Sequence, residues 1–209
     1  MRNNIFTIGH SNHTLDAFVE ALEAYGITAV ADVRSYPYSN KNPQFDREEL
    51  SEELKAHRIT YVYLGKELGG RSDDPTCYVN GKVQYDRLAQ TALFRSGIER
   101  VYRGIKDFVV TLMCAEGEPL ACHRSIMISR HLKEHEIAVK HILRNRQLEE
   151  HDATMDRLMQ TLNLNEKHMF KTRVDLLSEA YITQAERIAY EIDPQDATMR
   201  ARFAVSGQQ

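Results

Sequence analysis

The sequence predicts an α/β fold: an open, mostly parallel five-stranded sheet with helices on both faces, followed by a C-terminal helical extension. Three observations carry that expectation. Five short apolar runs rich in β-formers are separated by segments of helical character, which calls for a parallel sheet covered on both sides. A length of 209 residues suits one domain with a sizeable core rather than two large ones. Beyond Asn145 the pattern turns helical or irregular. The chain therefore divides into an α/β domain over residues 1–145, a helical extension over 146–193 and a flexible tail over 194–209.

Taken in order, Ile5 to Ile8 make a first strand, and Gly9, His10 and Ser11 turn the chain. Thr14 caps a helix whose buried stripe is Leu15, Phe18, Val19 and Leu22, and Gly26 ends it. Ala29 to Val33 is the second strand, delivering Asp32 at its end and Arg34 just beyond. Two prolines and two asparagines between Ser35 and Phe45 argue for a loop. Asp46 caps a second helix, with Glu48 and Glu49 in the first turn where the helix dipole favours them. Thr60 to Leu64 is the third strand. Gly65 to Lys82 is glycine-rich and polar, as lids and binding loops are. A helical stretch from Gln84, broken near Ser96 and Gly97, leads to a fourth strand around Val109, Val110, Leu112 and Met113. Cys114 stands at the exit of that strand. A loop with Gly117 and Pro119 follows, then a helix from His123 with Ile126, Met127, Ile128 and Leu132 on one side, and a fifth strand from Ala138 to Leu143.

The charge balance is near even, with 27 Lys and Arg against 30 Asp and Glu, and a pI near 6.3. That argues against a chain built to coat nucleic acid or an anionic membrane. No apolar stretch is long enough for a signal peptide or a membrane span, so a cytoplasmic protein is expected. Three cysteines, Cys77, Cys114 and Cys122, without disulfide-like spacing, fit a reducing compartment.

In open sheets of this class functional residues gather at the carboxyl ends of the strands. By that rule His10 and Ser11, Asp32 and Arg34, Gly65 to Arg71, and Cys114 and Glu116 share one edge. Four motifs lie there in order: TIGHS at Thr7 to Ser11, DVR at Asp32 to Arg34, LGGR at Leu68 to Arg71, and C-x-E with CHR between Cys114 and Arg124. Together they resemble a family of bacterial and archaeal proteins, domain of unknown function 488, over about the first 145 residues. The resemblance implies an α/β domain with a shared site but names no reaction.

The chemistry is therefore argued from the residues. Cys114, beside Arg124 and His123, has the surroundings of a nucleophile; Glu116 opposes its ionisation, and the two are the candidates to act at the reacting centre. His10 and Asp32 form a candidate acid–base pair. His123, Arg124, Ser125 and the amides at the start of their helix, joined by Ser11, Arg34 and Arg71, are candidates to hold an anion. The compact cradle of cysteine-dependent phosphatases does not fit, because nine residues separate Cys114 from Arg124 and Pro119 removes an amide. A metal is not assigned. Cys114, Cys122 and His123 are suitable ligands, but the seven residues between the cysteines match no standard zinc spacing and adjacent residues seldom share an ion. No nucleotide-cofactor motif is present. Tyr36, Tyr38, Phe45, Tyr61, Tyr63 and Tyr78, with Arg34, Lys41, Lys66 and Arg71, leave a nucleic-acid surface open. The expected function is an enzyme acting on a phosphate-bearing small molecule, nucleotide or nucleic-acid component. The alternatives are a non-catalytic nucleotide or nucleic-acid binding module and a metal-dependent enzyme. Oligomeric state is not legible.

Overall fold

The computed structural model describes residues 4–164 and 170–193, so the segment read as a tail, 194–209, lies outside the described residues. In chain order the elements are β1 (Asn4–Gly9), α1 (Leu15–Ala24), β2 (Ala29–Asp32), α2 (Arg47–Ala56), β3 (Thr60–Tyr63), α3 (Gly65–Leu68), β4 (Tyr78–Val79), β5 (Lys82–Val83), α4 (Tyr85–Ala89), α5 (Ala92–Asp107) and β6 (Val110–Cys114). A π-helical segment, Arg124–Ser129, then runs into α6 (Arg130–Glu134), followed by β7 (Ala138–Ile142), β8 (Leu148–Glu150), α7 (His151–Thr161) and α8 (Arg173–Ile188).

The five expected strands are present and parallel, in the order β3-β2-β6-β1-β7. A sixth, β8, closes that edge antiparallel to β7. It is only three residues long and too polar to announce itself as an apolar run. Strand alternation sorts the core into two layers. Phe6, Ile8, Val30, Met113 and Ile142 face α1 and α2, whereas Ile5, Ala29, Ala31, Leu112, Cys114 and Val139 face the layer that includes α5, α7 and α8.

Local expectations fare unevenly. Thr14 caps α1, accepting from the Ala17 amide at 3.2 Å. Asp46 precedes α2, but its carboxylate accepts from the Ser39 amide instead of capping the helix. The break expected near Ser96 and Gly97 falls earlier: Thr91 caps α5, which runs unbroken through both residues. The glycine answers a packing need there, since a Cβ would lie 2.7 Å from the Glu67 side chain. Within the glycine-rich stretch, Asn80 and Gly81 turn the β4–β5 hairpin, a two-residue turn signal that the long-loop reading passes over. The helix expected from His123 begins as π-helix, its wider turn tied by the Ser129 hydroxyl donating to the Arg124 carbonyl at 2.8 Å.

Candidate functional site

β6 lies between β2 and β1, so Cys114 leaves the sheet with Asp32 on one side and Gly9 and His10 on the other. The His10 and Ser11 amides donate to the Cys114 and Ala115 carbonyls, both at 2.9 Å, which carries the pairing past the strand ends. Gly9 permits this close approach. A Cβ there would stand 1.8 Å from the Glu116 carbonyl oxygen.

On the α1–α2 face the polar groups satisfy one another. Asp32, fully buried, accepts from Arg34 Nε at 2.9 Å, Arg34 Nη2 at 2.6 Å, the Arg34 amide at 3.0 Å and the Tyr61 hydroxyl at 2.6 Å. Burial, then the Asp32 charge, pushes the Tyr61 phenol upward, so it remains a donor. Arg34 Nη1 lies 3.3 Å from His10 Nε2, and His10 Nδ1 lies 2.9 Å from the Ser11 carbonyl. Because Arg34 can only donate, His10 carries its proton on Nδ1. Burial and the neighbouring Arg34 charge hold its pKa down to about 4. His10 and Asp32 thus do not meet as an acid–base pair; the guanidinium stands between them, and His10 stacks on Phe45 at 4.4 Å.

On the opposite face four reactive groups converge. Cys114 Sγ lies 3.0 Å from Glu116 Oε2, and His123 Nδ1 lies 3.8 Å from the sulfurs of both Cys114 and Cys122. His123 Nε2 donates to the Val33 carbonyl at 3.1 Å, so Nδ1 is the nitrogen that faces the two sulfurs. All three residues are buried: Cys114 is 3 % exposed, Cys122 1 % and His123 8 %. The sequence alone makes adjacent Cys122 and His123 poor partners, but the backbone changes from extended at Cys122 to helical at His123 and turns both side chains to one point.

The electrostatics follow from one shared proton. Hydrogen bonding to Cys122, then burial, raises the Cys114 thiol well above its ordinary range. Burial works against a Cys122 thiolate, but donation from Cys114 and the charges of Arg124 and His123 outweigh it and hold Cys122 well below. Burial, then the charge on Cys122, raises Glu116.

Arg124 is a buried scaffold cation. With no exposed surface it donates to the carbonyls of Glu116 at 2.5 Å and Gly117 at 3.2 Å, and to the Thr7 hydroxyl at 3.3 Å. Its guanidinium therefore shapes the loop after Cys114 rather than facing an anion. From Thr7 a buried polar chain continues: Thr7 Oγ1 to His141 Nδ1 at 2.7 Å, His141 Nε2 to His151 Nδ1 at 2.9 Å, and His151 Nε2 to the Tyr181 hydroxyl at 2.7 Å. Since Arg124 only donates, Thr7 accepts from it; with Thr7 donating to His141 and each histidine passing the same polarity onward, only the Tyr181 hydroxyl proton, at the cavity Tyr181 lines, is left without a partner among the described residues. Ser125, expected on the anion, is buried with no hydrogen-bond partner for its hydroxyl. Ser11 lies in a separate hollow beside Gly117 and Glu118.

The residues that share one cavity, of about 250 Å³, include Arg34, Arg71, Cys114, Glu116 and His123, with Tyr36, Tyr85 and Tyr190. The Arg71 guanidinium stacks over Tyr190 at 4.1 Å. A larger cavity of about 570 Å³ lies between α4, α6 and α8, but its Arg130 is already paired with Asp86 and Glu134. The aromatic residues expected to stack bases are mostly committed. Phe45 is buried, while the Tyr61, Tyr63 and Tyr78 hydroxyls bind Asp32, Ser35 and Ser72; Tyr36 and Tyr38 are exposed. No helix of the described residues is long and apolar enough to cross a membrane.

A family model described as domain of unknown function DUF488 matches residues 14–131. The chain belongs to that family. The match takes in the DVR, LGGR, C-x-E and CHR motifs, while TIGHS precedes it. No curated protein and no solved structure matches the chain. Membership of the DUF488 family thus agrees with the motifs that build the crevice and leaves its chemistry to the geometry. What sequence reasoning missed is the Tyr61 hydroxyl on Asp32, which only strand order could reveal; Cys122, weighed with Cys114 and His123 as a metal ligand and set aside on spacing, stands among the converging groups.

Proposed function

We propose that the chain is an enzyme acting on a small anionic molecule, of the phosphate- or carboxylate-bearing kind, in the cavity at the carboxyl end of β6. The observation that carries this reading is that Cys114, Glu116 and His123 share that cavity with Arg34 and Arg71. Reactive groups and cations around one hollow are what binding and transforming an anion require. Arg34 gives Nε and one N–H from each terminal nitrogen to Asp32 and His10, so two of a guanidinium's five donors remain. Arg71 makes its stacking contact through its face, which leaves its in-plane donors for a ligand. At about 250 Å³ the cavity is below the roughly 300–1,000 Å³ usual for drug-sized ligands, so it suits a small metabolite or a single phosphate-bearing group better than a whole nucleotide.

A thermal-shift screen with inorganic phosphate, phosphorylated metabolites, carboxylates and nucleotides tests the reading. A ligand at about a hundred times its Kd adds about 2.7 kcal/mol, several degrees for a chain of this size. The shift should largely vanish in Arg71→Ala and persist in Glu116→Gln, which should instead lose turnover of the anion found. A shift with no turnover in any protein assayed would make the crevice a binding module. No shift from any anion would end the proposal.

A further inference from the structure

We propose that Cys114, Cys122 and His123 together bind a zinc-class divalent metal ion, with its remaining coordination position toward the cavity. The inference rests on the reading of this crevice as the reacting centre and deepens it. The donor atoms Sγ, Sγ and Nδ1 all lie within 4.8 Å of one another. A tetrahedral ion with Zn–S of about 2.3 Å and Zn–N of about 2.0–2.1 Å sets its ligand atoms roughly 3.6–3.8 Å apart. His123 Nδ1 already stands 3.8 Å from each sulfur, and the 4.8 Å bound on the whole set leaves at most about 1 Å for side-chain adjustment to close.

Three further observations point the same way. The His123 Nε2–H bond to the Val33 carbonyl is the outer-shell contact that fixes a ligating imidazole and turns its other nitrogen to the metal. Cys122 is buried behind the cavity rather than on its wall, which places its sulfur poorly for attack on a molecule held there but well for ligation. Cys114 and His123 do line the cavity, so a fourth ligand such as water or the anion has a way in. Two sulfurs, one nitrogen and an open position is a donor set suited to catalytic zinc. On binding, the ion displaces the protons its ligand atoms carry. Glu116 Oε2 lies 3.0 Å from Cys114 Sγ, so that carboxylate can take the Cys114 proton and pass it to water as the S–metal bond forms.

The test is metal content and spectroscopy of the full chain. Protein purified without chelator and loaded with zinc should hold roughly one ion per chain by elemental analysis, and cobalt(II) should give thiolate-to-metal charge-transfer absorption at the same stoichiometry. Cys122→Ser and His123→Gln should lower cobalt affinity at least about tenfold. Should either variant fail to fold, the wild-type cobalt spectrum decides alone. Less than about a tenth of an equivalent of zinc, or no charge-transfer band, overturns the proposal. The two readings fail separately: an Arg71-dependent anion shift without metal sinks only the metal site, and a bound metal without any anion shift sinks only the anion enzyme.

Discussion

The two sides of the crevice are equally buried and stand on one sheet edge, yet they are built differently. On the α1–α2 face, Asp32, Arg34, Tyr61 and His10 spend their hydrogen bonds on each other and on nearby backbone. On the other face, Cys114, Cys122 and His123 bring two sulfurs and an imidazole nitrogen to one point, beside the Glu116 carboxyl. A buried network that closes on itself makes structure. One that crowds ionisable donor atoms at a common point is prepared for something else. Burial and perturbed ionisation are common to both faces, so what separates them is whether the polar groups are already satisfied.

The largest expected effect breaks the first side. Arg34→Met removes a guanidinium that is 5 % exposed and leaves the buried Asp32 carboxylate with Tyr61 as its main side-chain donor. Breaking a buried ion pair in this way costs roughly 3–5 kcal/mol. Cys122→Ala, on the second side, removes one sulfur from a cluster whose remaining thiol, carboxyl and imidazole can redistribute their protons when its charge is lost, and should cost only about 1 kcal/mol. Urea denaturation of the two variants measures the contrast. Equal losses would show that the thiol cluster is as structural as the ion-pair network, and the distinction would fall.

How much of this could be read without a structure depends on how local each signal is. β1 and β6 are continuous apolar runs, and Thr14 sits one residue before a helical stripe, so those elements declare themselves. β8, with the sequence LEE, is held by pairing to β7 and by the bonds of Glu149 to Thr154 and Arg157, and carries no such mark. Strand-end topology placed Asp32, Arg34, Cys114 and Glu116 on one edge. It could not say that Arg34 would stand between His10 and Asp32, because that depends on β6 separating β2 from β1. Likewise Arg124 looked like an anion ligand in sequence. Only the folded loop shows its guanidinium spent on the carbonyls of Glu116 and Gly117.

Acid gives a second way to sharpen the comparison, because the closed network includes a histidine that cannot accept a proton freely. His10 is held down to about 4, by burial first and the Arg34 charge second, and His151 to a similar value by burial. With both folded pKa values below the unfolded 6.5, the unfolded chain binds more protons between those limits. Stability therefore falls as pH drops from about 6.5 toward 4, each histidine contributing on the order of 3 kcal/mol at most, and His141, held well below its ordinary value by burial and then by His151, extends the loss to lower pH. Urea midpoints across this window should show that slope, reduced in His10→Asn. A stability that stays flat through the window would mean that neither imidazole is held neutral by the fold.

The smallest effect concerns two threonines. Thr7 on β1 and Thr111 on β6 are both fully buried in neighbouring strands, but the strand register puts them on opposite faces. Thr111 lies opposite Phe6 and Val30 in the apolar α1–α2 layer, and its hydroxyl has no partner. Thr7 lies opposite Leu112 on the other face, where its hydroxyl accepts from Arg124 and donates to His141. Valine has nearly the same shape as threonine without the hydroxyl. Thr111→Val should therefore be neutral or stabilising by up to about 1 kcal/mol, because it removes an unsatisfied buried hydroxyl. Thr7→Val should destabilise by about 1–3 kcal/mol, because it leaves Arg124 Nε and His141 Nδ1 without their partner. Paired thermal melts measure the difference in sign, and a loss at Thr111 as large as that at Thr7 would mean that the apolar layer holds a partner, such as a buried water, for the Thr111 hydroxyl.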